Sequence, residues 1–357
     1  MKAEIENFDS LRKSARELQD ENRKLKAKLK EANIPFEVNS VSEEKIEDLP
    51  NYDSNCHKKD WEADYHCSKE ETRVMLSDAV EDNSDMKILE QFDLSAINCE
   101  SLEGYCNCHR VYKPEHVFHR LSNEEYLIKI GAAARTEDGK VHPTGAGLLM
   151  FGEEYNIVRE FPKYFLDYQE MLDPTTKWID RVQSNSGDWT GNIQDFFYKV
   201  NNKIGQTIKR PFKLEGITRI DDTPVHKAVR EALVNCLVNA DYYLPQGVVV
   251  KREATSLVIE NPGSIRTGKK QMLKGGISDP RNKNLMKMFN LIGIGERAGS
   301  GIPDIYHVWE DQGWTIPVVE ESYNPDRTRL MLEFTEKQAI KTSRKNKQKK
   351  QAIKLIQ

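Results

Sequence analysis

Glu231, Asn235 and Asn239 stand at i, i+4 and i+8, a spacing that lines one carboxylate and two amides along a single helix face. A divalent cation, a positioned water and a phosphate-bearing ligand suit those groups better than a core does. A buried Glu or Asn without partners costs roughly 1–3 kcal/mol. The plain alternative is a solvated seam, which would suffice for a lone Glu. Further along come Asn261-Pro-Gly263 and Gly299-Ser-Gly301. Glycines just before a helix let backbone N–H groups close on an anion, and the helix dipole favours negative charge there. Together these groups could bind a phosphate ester with a metal and hydrolyse it, without a covalent nucleophile.

The elements that must position them can be read from periodicity. Thr223 suits a helix N-cap and Pro224 the first helical position. Val225, Ala228, Val229, Ala232, Leu233, Cys236, Leu237 and Ala240 repeat at helical spacing, so one broad face is core. Two strands follow, Gly247 to Glu253 and Leu257 to Glu260, joined as a hairpin by Ala254 to Ser256. The second strand runs straight into Asn261. The segment Ser264 to Asn282 is polar, rich in Gly and Lys, and too long for an ordinary turn, which predicts a functional loop. A short helix over Asn284 to Leu291 ends at Gly293, and another opens at Gly299 to Gly301 and runs to about Gln312. Arg327 to Phe334 alternates as a closing strand through Thr328, Leu330, Leu332 and Phe334.

Arg230-Glu-Ala-Leu-Val-Asn235, Asn239-Ala-Asp-Tyr242, Ile259-Glu-Asn-Pro-Gly263, Ser278-Asp-Pro-Arg-Asn282 and Gly299-Ser-Gly-Ile302 occur in that order. The arrangement resembles the histidine-kinase, gyrase and chaperone type of ATPase, the GHKL or Bergerat fold. It is most similar to the divergent branch at the C-terminal end of RecG-like and Schlafen AlbA-type transcriptional regulators. The resemblance extends upstream through Pro143-Thr-Gly-Ala-Gly-Leu-Leu-Met-Phe-Gly152 and spans roughly 86–334. It implies ATP and Mg²⁺ as ligands. By it, Glu231 orients the attacking water as general base, and Asn235 holds Mg²⁺ against the phosphates. Asn239 belongs to the same nucleotide-binding set. Asn261 sits where better-known members place an adenine-reading Asp, Gly263 shapes the adenine pocket, and Gly299 and Gly301 cradle phosphates. Asn261 and the adjoining Pro262 are departures from that pattern. An amide can still pair with adenine but brings a donor as well as an acceptor. Binding is therefore expected ahead of efficient hydrolysis.

A competing motif is Gly263-Ser-Ile-Arg-Thr-Gly-Lys-Lys270, which follows a strand and nearly matches a P-loop. Lys270 stands where a P-loop needs a Ser or Thr hydroxyl. A basic lid over the nucleotide is the better expectation.

Around this centre the chain divides by composition. Residues 1–33 carry a heptad with Leu11, Leu18 and Leu25 at one position and Asn22 at the other, the pattern of a parallel two-stranded coiled coil. It predicts a dimer; the alternative is an amphipathic helix folded on its own domain. Residues 34–60 read as an acidic linker. Residues 61–85 resemble the remnant of an AlbA-like nucleic-acid-binding domain, with a capping box at Ser68 and Glu71. Residues 86–210 read as a helical and α+β connecting region. Within it lie a capping box at Ser122 and Glu125, a buried helix over Thr144 to Phe151, and a strand over Tyr164 to Tyr168. A polar loop over Thr175 to Gly187 and an amphipathic helix over Trp189 to Ile208 complete it. Residues 211–335 form the ATP-binding domain. Residues 336–357 are a basic tail, whose Ala352 to Ile356 resembles the first helix of a truncated winged helix.

With 357 residues, net charge −4 and 31% charged residues, the chain has room for two domains or more. Its mean hydropathy of −0.70 and the lack of a long apolar run predict no membrane span and a cytoplasmic protein. The cysteines are expected to be reduced thiols. Cys56-His57, His66-Cys67, Cys99 and Cys106-Asn-Cys-His109 invite a zinc reading, but adjacent Cys-His pairs and Cys-x-Cys lack the Cys-x₂₋₄-Cys or His-x₃₋₅-His spacing that favours zinc, so incidental thiols are the better expectation. The fold class expected is α+β: a Bergerat-like mixed sheet with helices on one face, preceded by a coiled-coil helix. The expected function is ATP binding with weak Mg²⁺-dependent ATPase activity, acting as a switch in transcription regulation or defence. Two alternatives are a DNA- or RNA-binding regulator with a vestigial nucleotide site, and a truncated dimerising scaffold.

Overall fold

The computed structural model describes residues 84–172, 178–208, 223–295, 299–323 and 325–336, with the backbone of 57–59, 64–66, 214–215 and 218–219. The predicted coiled coil, the Ser68 capping box and the basic tail lie outside the described residues, as do the acidic linker and AlbA remnant apart from short pieces. Two compact units divide the chain, Met1–Cys67 and Ser68–Gln357. In the first, strands β1 (His57–Lys59) and β2 (Asp64–His66) pair antiparallel, with His57 opposite His66.

The second unit begins with a small helical layer. Helix α1 (Cys99–Tyr112) is capped by Asn98 and α2 (Asn123–Ile130) by Ser122, whose hydroxyl accepts from the Glu125 N–H as the capping box predicts. A hairpin of β3 (Ala133–Arg135) and β4 (Val141–Pro143) leads into α3 (Gly145–Phe151), every residue of which is buried. Gly147 lies so close to the Ala132 carbonyl that no side chain fits there. Helix α4 (Glu154–Glu160) closes the layer.

The central sheet has six strands. They are β5 (Leu166–Met171), β6 (Asp180–Gln183), β9 (Val248–Glu253), β10 (Ser256–Pro262), β11 (Val318–Ser322) and β12 (Arg327–Glu333), after the short pair β7 (Leu214–Glu215) and β8 (Thr218–Arg219). Their order is β11-β12-β10-β9-β5-β6; β5 and β9 run parallel and every other pair antiparallel. This is the expected α+β architecture with a mixed sheet. Leu166, Tyr168, Val248, Val250, Leu257, Ile259, Leu330 and Leu332 alternate onto one face and join the hydrophobic core. The intervening residues carry charge. Glu260 pairs with Arg327 at 3.0 Å and Arg329 at 3.4 Å, and Asp167 with Arg181 at 2.9 Å.

Over the core face lie α5 (Ile193–Thr207), α6 (Pro224–Asn239), α8 (Lys283–Leu291) and α9 (Gly301–Asp311), with short α7 (Lys269–Lys274) before α8. α6 packs on β10, α5, α8 and α9. Trp309 of α9 is fully buried and donates its indole N–H to the Glu333 carbonyl of β12 at 2.8 Å.

Three sequence expectations change. The polar loop predicted for 175–187 contains β6, whose single apolar inward residue, Val182, left no alternation to detect. The closing strand is internal: β11 lies outside β12, and its Val-Val-Glu-Glu-Ser sequence has too little apolar pattern to announce an edge strand. The predicted loop 264–282 contains α7.

Asp85 joins the beginning of the second unit to α8. Its Oδ2 accepts the backbone N–H groups of Asn284 at 2.7 Å and Leu285 at 3.0 Å, so it caps α8 from across the chain. Burial pushes its carboxyl up to about 6 from 3.8, while those N–H groups pull the other way. The folded state therefore holds a proton that the unfolded state has already released between these values. The group's contribution is fullest below pH 3.8 and is lost as pH rises through about 6. Asp85→Asn keeps an acceptor and does not titrate. Its melting temperature at about pH 8 is expected to equal or exceed wild type, with the gap closing toward pH 4, as differential scanning calorimetry would show. Asp85→Ala leaves two N–H groups without their acceptor and is expected to lose about 1–3 kcal/mol in urea unfolding.

Candidate functional site

α6 forms where its sequence places it. Thr223 caps it through the His226 N–H, and Pro224 occupies the first turn. Its far end is tied down by Asn282, whose amide donates to the Val238 and Ala240 carbonyls at 3.1 and 2.8 Å. These are among the carbonyls a helix C-terminus leaves without partners. The Asn282 N–H also bonds Val238. The side chain that closes the Ser278-Asp-Pro-Arg-Asn282 motif thus anchors the helix that carries Glu231, Asn235 and Asn239.

Those three residues line one cleft of about 970 Å³, including its open mouth. Asn235 Nδ2 donates to Glu231 Oε1 at 3.2 Å, and Asn239 Nδ2 donates to the Asn235 carbonyl at 2.8 Å. The polar stripe is therefore internally ordered, with all three side chains half-buried. Facing it, β10 contributes Ile259 and the buried Asn261, and the neighbouring β12 contributes Thr328 and Leu330. The Asn261 amide donates to the Pro262 carbonyl at 3.1 Å, which leaves Oδ1 as its acceptor.

The segment after β10 borders the cleft. Ser264, Ile265, Arg266, Thr267, Met272 and Ile277 contribute to its lining. Arg266 pairs with Asp279 at 2.9 Å, and the Ile265 N–H donates to Glu321 at 2.9 Å. β10 is antiparallel to both neighbours, whereas a P-loop follows a strand of a parallel sheet. The segment lines one side of the cleft.

Gly299 and Gly301 close the cleft at the start of α9. Gly299 has φ +69°, and a Cβ there would meet the Ile277 backbone at 2.6–2.8 Å. At Gly301 a Cβ would meet Glu231 Cγ and Cδ at 2.9 Å. The positive end of the α9 dipole thus stands beside the carboxylate stripe. Gly263 behaves differently. It is not among the cleft-lining residues, although Asn261 and Ser264 on either side are; its φ is +99°, and a Cβ there would meet Arg281 and Asp241 at 3.3–3.4 Å. Sequence reasoning gave Thr328 no role in the site. It lies opposite Asn261 in the β10–β12 register and holds the Gly263 carbonyl at 2.9 Å.

Residues 247–332 match the family described as "Putative ATP-dependent DNA helicase recG C-terminal", and residues 73–167 match a domain of unknown function, DUF8451. The cleft is thus built in part on a RecG C-terminal-type domain. Asn261, Gly263, Gly299 and Gly301 fall inside that match, and the α6 residues precede it. The fold is similar to the crystal structure of the DIP2311 protein from Corynebacterium diphtheriae, at 17% identity and TM-score 0.54. That alignment covers 78% of this chain and 53% of the other, so this chain spans about half of that structure's length. None of the curated proteins matches the chain. Among the described residues, no helix is long and apolar enough to cross a membrane.

Gly301→Ala is expected to destabilise the protein by at most about 1 kcal/mol, because the Glu231 side-chain end that its methyl meets can swing aside. In a Glu231→Ala background the same substitution should cost at most a few tenths of a kcal/mol, since the obstructing groups are gone. Urea unfolding of the four proteins in that double-mutant cycle checks the contact directly.

Proposed function

We propose that the cleft between α6, β10 and α9 is a Bergerat-type nucleotide site that takes ATP with Mg²⁺. The observation that supports this most is the meeting of Glu231, Asn235 and Asn239 with Asn261 and with Gly299 and Gly301 around one cleft. In this reading Asn235 and phosphate oxygens hold the Mg²⁺, a hard cation that takes oxygen ligands at such sites. The donor set fits, because Asn235 already gives its N–H to Glu231 and keeps its oxygen. The ion supplies charge neutralisation at the phosphates.

The chain's own residues divide the remaining work. Asn261 answers the adenine amino group with its Oδ1, the acceptor that an Asp would present, because its amide N–H is turned to Pro262. The same oxygen would face the guanine carbonyl oxygen, which favours ATP over GTP. Ile259, Ile265, Met272 and Leu330 supply apolar walls for a base. The start of α9 favours the phosphates. Glu231 orients water, but it is held by Asn235 and packed under Gly301. Hydrolysis is accordingly slow, and occupancy rather than turnover carries the signal.

The wider role belongs to the same proposal. The chain is a cytoplasmic, RecG-like and Schlafen AlbA-type regulator whose nucleotide state is read by a transcription or defence assembly. Residues 1–33 pair two copies, and DNA or RNA is a candidate target of the assembly.

Calorimetric titration of ATP and GTP with Mg²⁺ into wild type and Asn235→Ala tests the reading. ATP is expected to bind saturably and more tightly than GTP. The variant is expected to weaken Mg²⁺-ATP binding about tenfold or more, which is about 1.4 kcal/mol, and to change metal-free ATP binding little. A folded wild type that takes up no ATP would sink the proposal.

A further inference from the structure

Two charged side chains of the cleft have no part in the site as proposed above. Among the described residues that line it, Glu231, Arg266 and Asp279 alone carry charge. Glu231 stands at the start of α9, beside the place given to the phosphates. Arg266 and Asp279 pair with each other, the Arg266 Nε–H donating to Asp279 Oδ2 at 2.9 Å. That bond leaves both groups with capacity to spare. The two Nη groups of Arg266 and the Oδ1 of Asp279 have no hydrogen-bond partner among the described residues. The Arg266 side chain is nevertheless only 16% exposed. A guanidinium so sheltered keeps unused donors where water or a ligand can reach them.

The place of the pair follows from the chain that carries Asp279. Residues 277–281 run from one end of the cleft to the other. At the phosphate end the Ile277 backbone packs on Gly299, where a Cβ would meet it at 2.6–2.8 Å. At the base end the Arg281 guanidinium lies 3.3 Å from the Cβ position of Gly263, two residues after Asn261, and bonds the Ser264 carbonyl at 3.5 Å. Asp279 is midway between Ile277 and Arg281. It precedes Pro280, and the residue before a proline is held to an extended backbone. Two extended residues span about 7 Å, so both ends lie within about that reach of Asp279. In a nucleotide the sugar separates the base from the phosphates. With the base at Asn261 and the phosphates at Gly299 and Gly301, the sugar falls beside Asp279.

We propose, on the nucleotide reading of this cleft, that Asp279 and Arg266 bind the ribose and make the site selective for ribonucleotides over deoxyribonucleotides. A carboxylate repels phosphate oxygens but accepts hydroxyl protons well, in charge-assisted bonds. Vicinal 2′- and 3′-hydroxyls match its two oxygens, and carboxylates take ribose hydroxyls in this way in dinucleotide-binding folds. A hydroxyl that donates to Asp279 keeps lone pairs, and the Nη groups of Arg266 supply the donors for them. The Nε bond holds the carboxylate in place while this happens. The pair thus reads the part of the ligand that neither Asn261 nor the α9 glycines touch.

The test is calorimetric titration of Mg²⁺ with ATP, 2′-deoxy-ATP or 3′-deoxy-ATP into wild type, Asp279→Ala and Asp279→Asn. Wild type is expected to bind ATP about tenfold or more tightly than either deoxy form, the scale of a lost hydrogen bond to a charged group. Asp279→Ala is expected to bind all three alike. Asp279→Asn keeps the side chain's size and should cut the preference to about threefold or less, which serves should the alanine variant fail to fold. A pair that only braces the segment would weaken all three ligands equally and leave their ratio intact, which would overturn the proposal. A wild type that binds ATP no more tightly than its deoxy forms would overturn it alone. A folded wild type that takes up no ATP would overturn it together with the site on which it rests.

Discussion

The structure depends on the burial of α6. Leu233, Val234, Leu237 and Val238 are fully buried, so the helix is enclosed by the sheet, α5, α8 and α9 rather than lying on a surface. A helix enclosed this way can carry polar side chains only where a cleft meets it, because an unpartnered buried amide or carboxylate is costly. The Glu231–Asn235–Asn239 stripe is that place. Both ends of α6 are fixed by side chains, Thr223 at the start and Asn282 at the end. The stripe therefore cannot rotate away from β10 without breaking both anchors. The two glycines of the α9 start complete the constraint, since anything larger at Gly301 would displace Glu231.

Much of this was legible because local signals agree with one another. The α6 cap, its apolar period and its polar stripe point to one orientation, and the structure keeps all three. β9 and β10 were visible for the same reason, since Val248, Val250, Leu257 and Ile259 alternate cleanly inward. β6 and β11 were hidden by their positions. An edge strand with one polar face and a short inward row offers one or two apolar residues, too few to define a period. In the site, the lining side chains with the strongest helical register were found and the strand-borne Thr328 was not. Its partner is set by sheet register, a non-local property. Gly263 sits between the cleft-lining Asn261 and Ser264 without lining the cleft itself, a difference that adjacency in the sequence does not show.

The two faces of the sheet hold the strands together in different ways. The helix-covered face is apolar and closes by exclusion of water. The opposite face is laced by carboxylate–guanidinium pairs, with Glu260 shared between Arg327 and Arg329. Glu260, Arg327 and Asp167 are largely shielded from water, so a one-sided loss would leave a charge without its partner, and the pairs fix register. A one-residue slip of β12 would carry its Arg side chains to the core side and its Leu side chains out. That register is what keeps Thr328 opposite Asn261 at the cleft.

The Asp85 cap has a consequence for synthesis. It joins residues 199 and 200 positions apart in the chain, Asn284 and Leu285 to Asp85. As the protein emerges from the ribosome, the segment around Asp85 must wait until α8 has been made, because nothing earlier in the chain offers it those two N–H groups. Met286 of α8 lines the cleft, so the waiting segment is satisfied while the cleft is still short of its α9 and β12 residues. A nascent chain that stalls before α8 therefore carries an unfinished start as well as an unfinished cleft. Contacts of such long sequence separation slow folding and lengthen the time for which a half-made core is exposed to other chains.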